Sequence, residues 1–108
     1  MLLTARERYR LLDVLPVQES IENLRILHDL KMALSLSEDE MAKYHRRDPD
    51  TGKISEFLSA AGLAEEAEIP IGEKAMDICI AALRAASQAK RLTEFHISVY
   101  DKFIKKSE

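Results

Sequence analysis

The sequence predicts a mainly α-helical single domain built from five helices and one small β-hairpin around residues 44–58. Three observations predict this fold class. Helix-favouring residues dominate the composition, and only three glycines and three prolines occur among 108 residues. Four stretches begin with a residue that can cap a helix and continue with apolar side chains at helical spacing. The length suits one hydrophobic core, so we expect residues 1–108 to fold as one compact domain.

The first helix is predicted at about residues 5–15. Thr4 and Glu7 have the spacing of a capping box, in which each side chain accepts a hydrogen bond from a backbone N–H at the helix start. Pro16 cannot continue the helical hydrogen bonding, so the helix ends before it. The predicted inner face carries Tyr9, Leu12 and Leu15, and the predicted outer face carries Arg6, Arg10 and Asp13.

Two further helix starts follow. Ser20 can cap a helix over residues 21–34, in which leucines form the core-facing stripe. Ser37 and Glu40 form a second capping box, which predicts a short helix near residues 38–45. The leucines that share one face of the longer helix are Leu24, Leu27, Leu30 and Leu34.

The stretch RRDPDTGK, residues 46–53, is interpreted as the turn of the hairpin. Pro49 presets φ for a type I turn, Asp48 can accept a hydrogen bond from the backbone that follows, and Gly52 suits a left-handed position. A calcium loop is the alternative reading. An EF-hand, however, needs an oxygen ligand where Gly52 stands and a glycine where Lys53 stands. We therefore expect a plain turn without a metal.

The helical pattern is weakest over residues 54–71. Gly62 interrupts the spacing, and the motif AEIPI reads as an extended edge segment because its proline cannot donate to a strand ladder. After Gly72 the pattern resumes as EKAMDICIAALRAASQAK, a helix that is apolar around much of its circumference. We expect this helix at the centre of the fold, packed by the first, second and last helices. Thr93 caps the last helix.

Charge and cysteine content narrow the possible function classes. The formal net charge of −3 argues against a surface that attracts phosphate everywhere, but it permits a local basic patch. Cys79 is the only cysteine, so no internal disulfide can form and a reducing cell interior is the expected setting. No apolar run is long enough for a signal peptide or a membrane span. The sequence predicts cytoplasmic localisation.

The sequence shows no pattern of catalytic residues. It has no glycine-rich phosphate loop, nucleophile elbow or Cys-His signature. His45 has no His or Cys nearby at metal-ligand spacing. His96 is expected at the edge of the core, bonded to a backbone carbonyl or a carboxylate, with a role as general base as the alternative. We predict that the protein is not an enzyme and that it uses no metal or cofactor.

Three stretches of the sequence resemble one known group of proteins. They are LTARERYRLLDVLP at the start, EIPIGEKAMDI from Glu68, and RLTEFHISVYDKF near the end. In this order they are similar to small proteins encoded in bacteriophage and prophage genomes. The resemblance implies the cytoplasm of a bacterial host as the setting, and it implies no functional residues.

The function predicted from these observations is a non-catalytic protein-interaction or assembly module that associates with itself, or alternatively with another protein. Several apolar side chains fall where five helices would not cover them, and small helical domains often cover such surface by dimerising. These side chains are Met32, Phe57, Leu58, Leu63 and Ile104.

The alternative function is a small winged-helix-like regulator that binds nucleic acid. Three helices followed by a hairpin match the element order of that fold. The third helix argues against it, because EDE stands where a recognition helix meets bases and phosphates. The basic residues available for phosphate contacts are Arg6, Arg10, Arg46, Arg47 and Lys53.

Overall fold

The computed structural model describes residues 1–107, and over this range the predicted mainly α class is confirmed. All five predicted helices are present, and one short helix is additional. The helices are α1 (Ala5–Val14), α2 (Ile21–Leu34), α3 (Glu38–Tyr44), α4 (Ala60–Ala64), α5 (Glu73–Gln88) and α6 (Ile97–Ser107). The strands are β1 (Leu2–Thr4), β2 (His45–Arg47), β3 (Ile54–Leu58) and β4 (Glu66–Glu68), and a 3-10 helix spans Glu94–His96. None of the helices in the described range is both long and apolar enough to cross a membrane.

The capping residues that the sequence indicates begin their helices as predicted. The Thr4 hydroxyl accepts from the Glu7 N–H at 3.1 Å, and the Glu7 carboxylate accepts from the Thr4 N–H at 2.9 Å. Ser37 and Glu40 make the same reciprocal pair at the start of α3, at 3.2 and 3.1 Å. The Ser20 hydroxyl accepts from the backbone of α2. These bonds satisfy backbone donors that have no partner within a helix, so they fix where each helix starts.

Helix α5 lies at the centre of the fold, as predicted, and contacts α1, α2 and α6. Cys79 and Leu83 on α5 are fully buried. Burial raises the pKa of the Cys79 thiol to about 12, so this cysteine behaves as a small buried hydrophobe. The fully buried apolar side chains around them include Leu3, Leu11, Leu34, Val99 and Phe103.

Helix α1 turns a different face to the core than the sequence analysis predicts. Leu11 and Leu15 are buried, whereas Tyr9 and Leu12 are only partly buried. Arg8 continues the buried stripe one turn before Leu11 and is 1% exposed. The prediction was right for Leu15 but missed Leu11 and Arg8, because an arginine is not expected in a core; this arginine has acceptors at the end of α2 and on α3.

Strands β2 and β3 form the predicted hairpin, with His45 opposite Leu58 and Arg47 opposite Ile54. Between these pairs the register is irregular, because β3 contributes more residues than β2. The turn has the chemistry expected of it. The Asp48 carboxylate accepts from the Asp50 N–H at 2.9 Å, and Gly52 has a φ of 70°.

A second antiparallel pair joins β1 to β4, with Leu3 opposite Ala67. The extended segment around AEIPI is confirmed, but its strand lies at Glu66–Glu68, just before the proline. The sequence analysis missed β1, because three residues carry too little period-two pattern to be recognised.

Gly62 lies inside α4 and does not interrupt it. The Ser59 hydroxyl caps this short helix by accepting from the Gly62 N–H at 3.2 Å. A Cβ atom at position 62 would overlap the carbonyl oxygen of Tyr44. The glycine therefore allows α4 to approach the end of α3 more closely than any other residue would permit.

Lys102 on α6 joins the first and last parts of the chain. Its ammonium donates to the Leu2 carbonyl at 2.9 Å, to the Glu7 carboxylate at 2.7 Å and to the Glu66 carboxylate at 2.8 Å. Burial alone would raise the pKa of Glu7, but its hydrogen bonds with Lys102 and the Thr4 N–H lower that pKa overall. Burial alone would lower the pKa of Lys102, but Glu66 and Glu7 raise it overall.

Candidate interaction site

A groove of about 900 Å³ lies beside α5 on the described surface. We call it the α5 groove. One wall is formed by residues 13–17 together with Glu19 and Asn23, and the floor is formed by one face of α5. The α5 residues on the floor are Ile78, Ala81, Ala82 and Ala85, with Lys74 and Asp77 towards the start of the helix and Arg91 just beyond its end.

Two opposite faces of α5 have different surroundings. Cys79, Leu83 and Ala86 face the core, whereas Ala81 and Ala85 lie one turn apart on the groove side and are exposed. An exposed apolar helix face can be buried by contact with a second helix. Alanine side chains are short, so a second helix can approach this face closely.

The rim of the α5 groove carries charges that the fold leaves unpaired. Asp13 pairs with Arg10 at 3.4 Å, and the Glu19 carboxylate accepts from the Ser20 N–H at 3.0 Å. No ion pair joins Lys74, Asp77 or Arg91 to any side chain that the structure describes. These three charges are available to a binding partner.

An exposed apolar residue stands in the wall of the groove. Val17, in the short connection between α1 and α2, is 83% exposed, more than any other large apolar side chain in the described range. Ile21, in the first turn of α2, is also exposed. Val17 lines the groove and Ile21 does not, so Val17 extends the apolar surface of the floor onto the wall.

Arg6 and Arg10, predicted as interaction residues, both contact Phe95 near the last helix. Their guanidinium carbons lie 5.7 Å and 5.4 Å from the centre of the same phenyl ring. Phe95 is 46% exposed, so the two cations and the ring form one surface cluster. Sequence analysis placed the arginines on the outer face of the helix but did not connect them with an aromatic ring.

Arg46, Arg47 and Lys53 lie together on the hairpin, as predicted. Arg46 donates from Nε to the Leu58 carbonyl at 3.1 Å, and Arg47 donates from a terminal nitrogen to the Gly52 carbonyl at 3.1 Å. Both arginines remain exposed, although each donates a hydrogen bond to the backbone of the hairpin. The hairpin cluster and the Arg6–Arg10 cluster belong to different elements, the β2–β3 hairpin and α1.

The predicted exposed apolar residues do not form one group. Met32 on α2 and Phe57 on β3 are 67% and 64% exposed. Leu63 is exposed and Leu58 is partly buried. The prediction that Ile104 is exposed was wrong, because this α6 side chain is buried.

His96 is buried, but its partner differs from the predicted carbonyl or carboxylate. The Thr93 N–H donates to its Nδ1 at 3.0 Å. The ring therefore caps the 3-10 helix, and in the neutral form its proton is on Nε2. Within the described residues Nε2 is buried without a hydrogen-bond partner.

His45 connects the hairpin to α1. Its Nδ1 donates to the Ser55 carbonyl at 2.9 Å, so in the neutral ring Nε2 accepts from the Tyr9 hydroxyl at 2.7 Å. Burial raises the pKa of Tyr9, although the charge of Arg8 opposes this. Residues 1–107 contain no group of three metal-ligating side chains close enough to hold an ion.

Sequence analysis also missed Arg8. It donates from Nε to the Leu34 carbonyl at 2.8 Å and from its terminal nitrogens to the Ser35 carbonyl at 2.7 Å and the Glu40 carboxylate at 2.6 Å. Burial alone would raise the pKa of Glu40, but the hydrogen bond from Arg8 is the larger effect and lowers it. The available signal was the helical spacing of Arg8 with Leu11 and Leu15.

Comparison of this chain with family models, with curated proteins and with solved structures finds no match.

Proposed function

We propose that this protein is a non-catalytic assembly module that associates with itself through the α5 groove. One observation carries the proposal: the central helix exposes Ala81 and Ala85 on the floor of the α5 groove. A helix that packs the core on one side and shows alanines on the other is suited to receive a second helix. The resemblance to bacteriophage and prophage proteins adds a bacterial cytoplasm as the proposed setting.

The buried polar side chains hold elements of the fold together. Arg8 bonds the end of α2, and Glu7 bonds Lys102. His45 links the hairpin to α1, and His96 caps the 3-10 helix. Each of these titratable groups is committed to a contact between elements or to a helix start. This pattern favours an assembly role over a catalytic one.

The proposal is tested by placing an arginine on the groove floor. Ala85→Arg projects a long cation into the α5 groove, so we expect the dissociation constant of self-association to rise at least about tenfold. Ala42→Arg is the matched control, because Ala42 is an exposed helical alanine on α3 outside the groove. Sedimentation equilibrium over a wide concentration range measures both variants and the parent protein.

Three results are decisive for this proposal. Loss of association in Ala85→Arg with retention in Ala42→Arg supports it. Equal association of the two variants places the contact elsewhere and contradicts it. A parent protein that remains monomeric at high concentration removes self-association altogether.

A second candidate, nucleic-acid binding, is favoured by the surface cluster of Arg6, Arg10 and Phe95. Cations beside an exposed aromatic ring are the combination that contacts phosphates and stacks on bases. Binding to duplex and single-stranded DNA at low salt, compared between the parent protein and Arg6→Glu/Arg10→Glu, tests this candidate. Undetectable binding by the parent protein rejects it.

A further inference from the structure

We infer that two copies of this chain pair around a two-fold axis, with α5 of one copy lying antiparallel to α5 of the other in the α5 groove. This inference rests on the proposed function and specifies how the groove is occupied. A two-fold pairing uses the same surface on both copies, so it closes into a dimer and leaves no free groove.

Unpaired charges at opposite ends of the groove favour the antiparallel direction. Asp77 lies near the start of α5, and Arg91 lies just beyond its end, where the Arg91 N–H donates to the Ala86 carbonyl at 2.9 Å. Antiparallel helices bring the start of one helix to the end of the other. Asp77 of each copy then faces Arg91 of the second copy, so two ion pairs form by symmetry.

Helix geometry places these charges within reach. The closest packing sets Ala81 opposite Ala85 of the second copy, because these small side chains permit the shortest separation of the helix axes. With a rise of about 1.5 Å per residue, Asp77 then lies opposite Ala89, within one helical turn of Arg91. In the same register position 91 of the second copy lies opposite position 75, between Lys74 and Asp77, so the Arg91 guanidinium pairs with Asp77 while Lys74 repels it in part.

The area required for a stable dimer indicates that the groove wall also contributes. A stable interface covers about 800 Å² on each partner. Helix α5 is roughly 24 Å long, so its open face alone is too small for such an interface. The α1–α2 connection completes the interface, and Val17, which is 83% exposed in the single copy, becomes covered.

Charge exchange tests this arrangement. Asp77→Arg and Arg91→Asp each put like charges opposite one another, so we expect each single variant to weaken the dimer about tenfold or more. The double variant Asp77→Arg/Arg91→Asp restores opposite charges, so its dissociation constant should return to within about threefold of the parent value. Both side chains are exposed, and circular dichroism verifies that the variants fold.

The outcomes separate this inference from the proposed function. A double variant that dimerises no better than the single variants contradicts the antiparallel pairing. If Ala85→Arg still abolishes association in that case, self-association through the groove stands. If Ala85→Arg has no effect either, the proposed function and the pairing both fall.

Disulfide trapping gives a second measurement that does not depend on charge. A mixture of Ala81→Cys and Ala85→Cys chains should form mixed disulfides faster than either chain alone forms its own, because these positions face each other across the axis. Cys79 does not compete, since it is fully buried. Equal rates for the mixture and the separate chains contradict the pairing.

Discussion

Replacement of Arg8 by alanine tests how the first three helices are held together. The guanidinium bonds three groups that belong to other elements: the Leu34 and Ser35 carbonyls at the end of α2 and the Glu40 carboxylate in α3. Arg8 is 1% exposed and its bond to the Leu34 carbonyl is buried, so water cannot replace that bond in the folded protein without entering the core. Arg8→Ala therefore leaves three acceptors without their donor.

The expected loss of folding stability in Arg8→Ala follows from the number and burial of these hydrogen bonds. A hydrogen bond that involves a charged group contributes roughly 1.5–3 kcal/mol. The Glu40 side chain is 29% exposed, so water partly compensates its loss. Removing one partner of a buried ion pair costs about 3–5 kcal/mol, and we expect the lower end, about 3 kcal/mol, because Glu40 can be rehydrated.

Urea denaturation followed by circular dichroism measures this effect. A loss of about 3 kcal/mol is a large share of the roughly 5–15 kcal/mol that stabilises a domain, and it lowers Tm by roughly 12–15 °C. Arg25→Ala is the matched control, because Arg25 is an exposed helical arginine with no ion-pair partner in the described range. We expect that control to change stability by less than about 0.5 kcal/mol.

Arg8→Lys separates charge from shape. Lysine keeps the positive charge but lacks the planar fork that reaches two carbonyls and a carboxylate together, so we expect about half of the alanine effect. If Arg8→Ala costs no more than Arg25→Ala, the buried guanidinium does not hold these helices together and the reasoning is refuted.

Two further predictions concern the fold. Gly62→Ala should destabilise the protein by at least about 2 kcal/mol in urea denaturation, because the added Cβ overlaps the Tyr44 carbonyl oxygen. Gly72→Ala is the control and should cost under about 1 kcal/mol, because the space around Gly72 is open. Equal effects of the two substitutions would contradict the close approach of α4 to α3. Glu7 has a folded-state pKa below its value of 4.5 in the unfolded chain, so its contribution is present above pH 4.5 and is lost as the pH falls through the folded pKa. Glu7→Gln should therefore flatten the decline of stability in acid, as measured by urea denaturation between pH 6 and about pH 2, and an unchanged acid profile would contradict the assignment of Glu7. Lys102 has a raised pKa, so its contribution to stability should be lost as the pH rises through that raised value.

The features of the fold that the sequence predicts correctly are local ones. Thr4, Ser20 and Ser37 cap helices through bonds that span three residues, so the determinant and its effect lie within one short stretch of sequence. The turn at Asp48 and Gly52 is predictable for the same reason. Such features do not depend on which elements pack together.

Features that depend on distant partners are not predictable from local patterns. The acceptors of Arg8 lie 26 to 32 residues further along the chain, so the local pattern gives a basic residue and hides its burial. Ala81 and Ala85 are the same residue type as the core-facing alanines of α5, so residue type alone cannot distinguish exposed alanines from buried ones. Only the arrangement of α1, α2 and α6 around α5 determines which alanines stay exposed and thereby form the candidate site.

The bridge made by Lys102 bears on the order in which these elements fold during synthesis. Its contact with the Leu2 carbonyl spans 100 positions of sequence, and the neighbouring Phe103 is fully buried. A nascent chain that ends before α6 cannot neutralise Glu7 or cover the apolar surface beneath Phe103. We therefore expect stable folding during synthesis to require that α6 has left the ribosome.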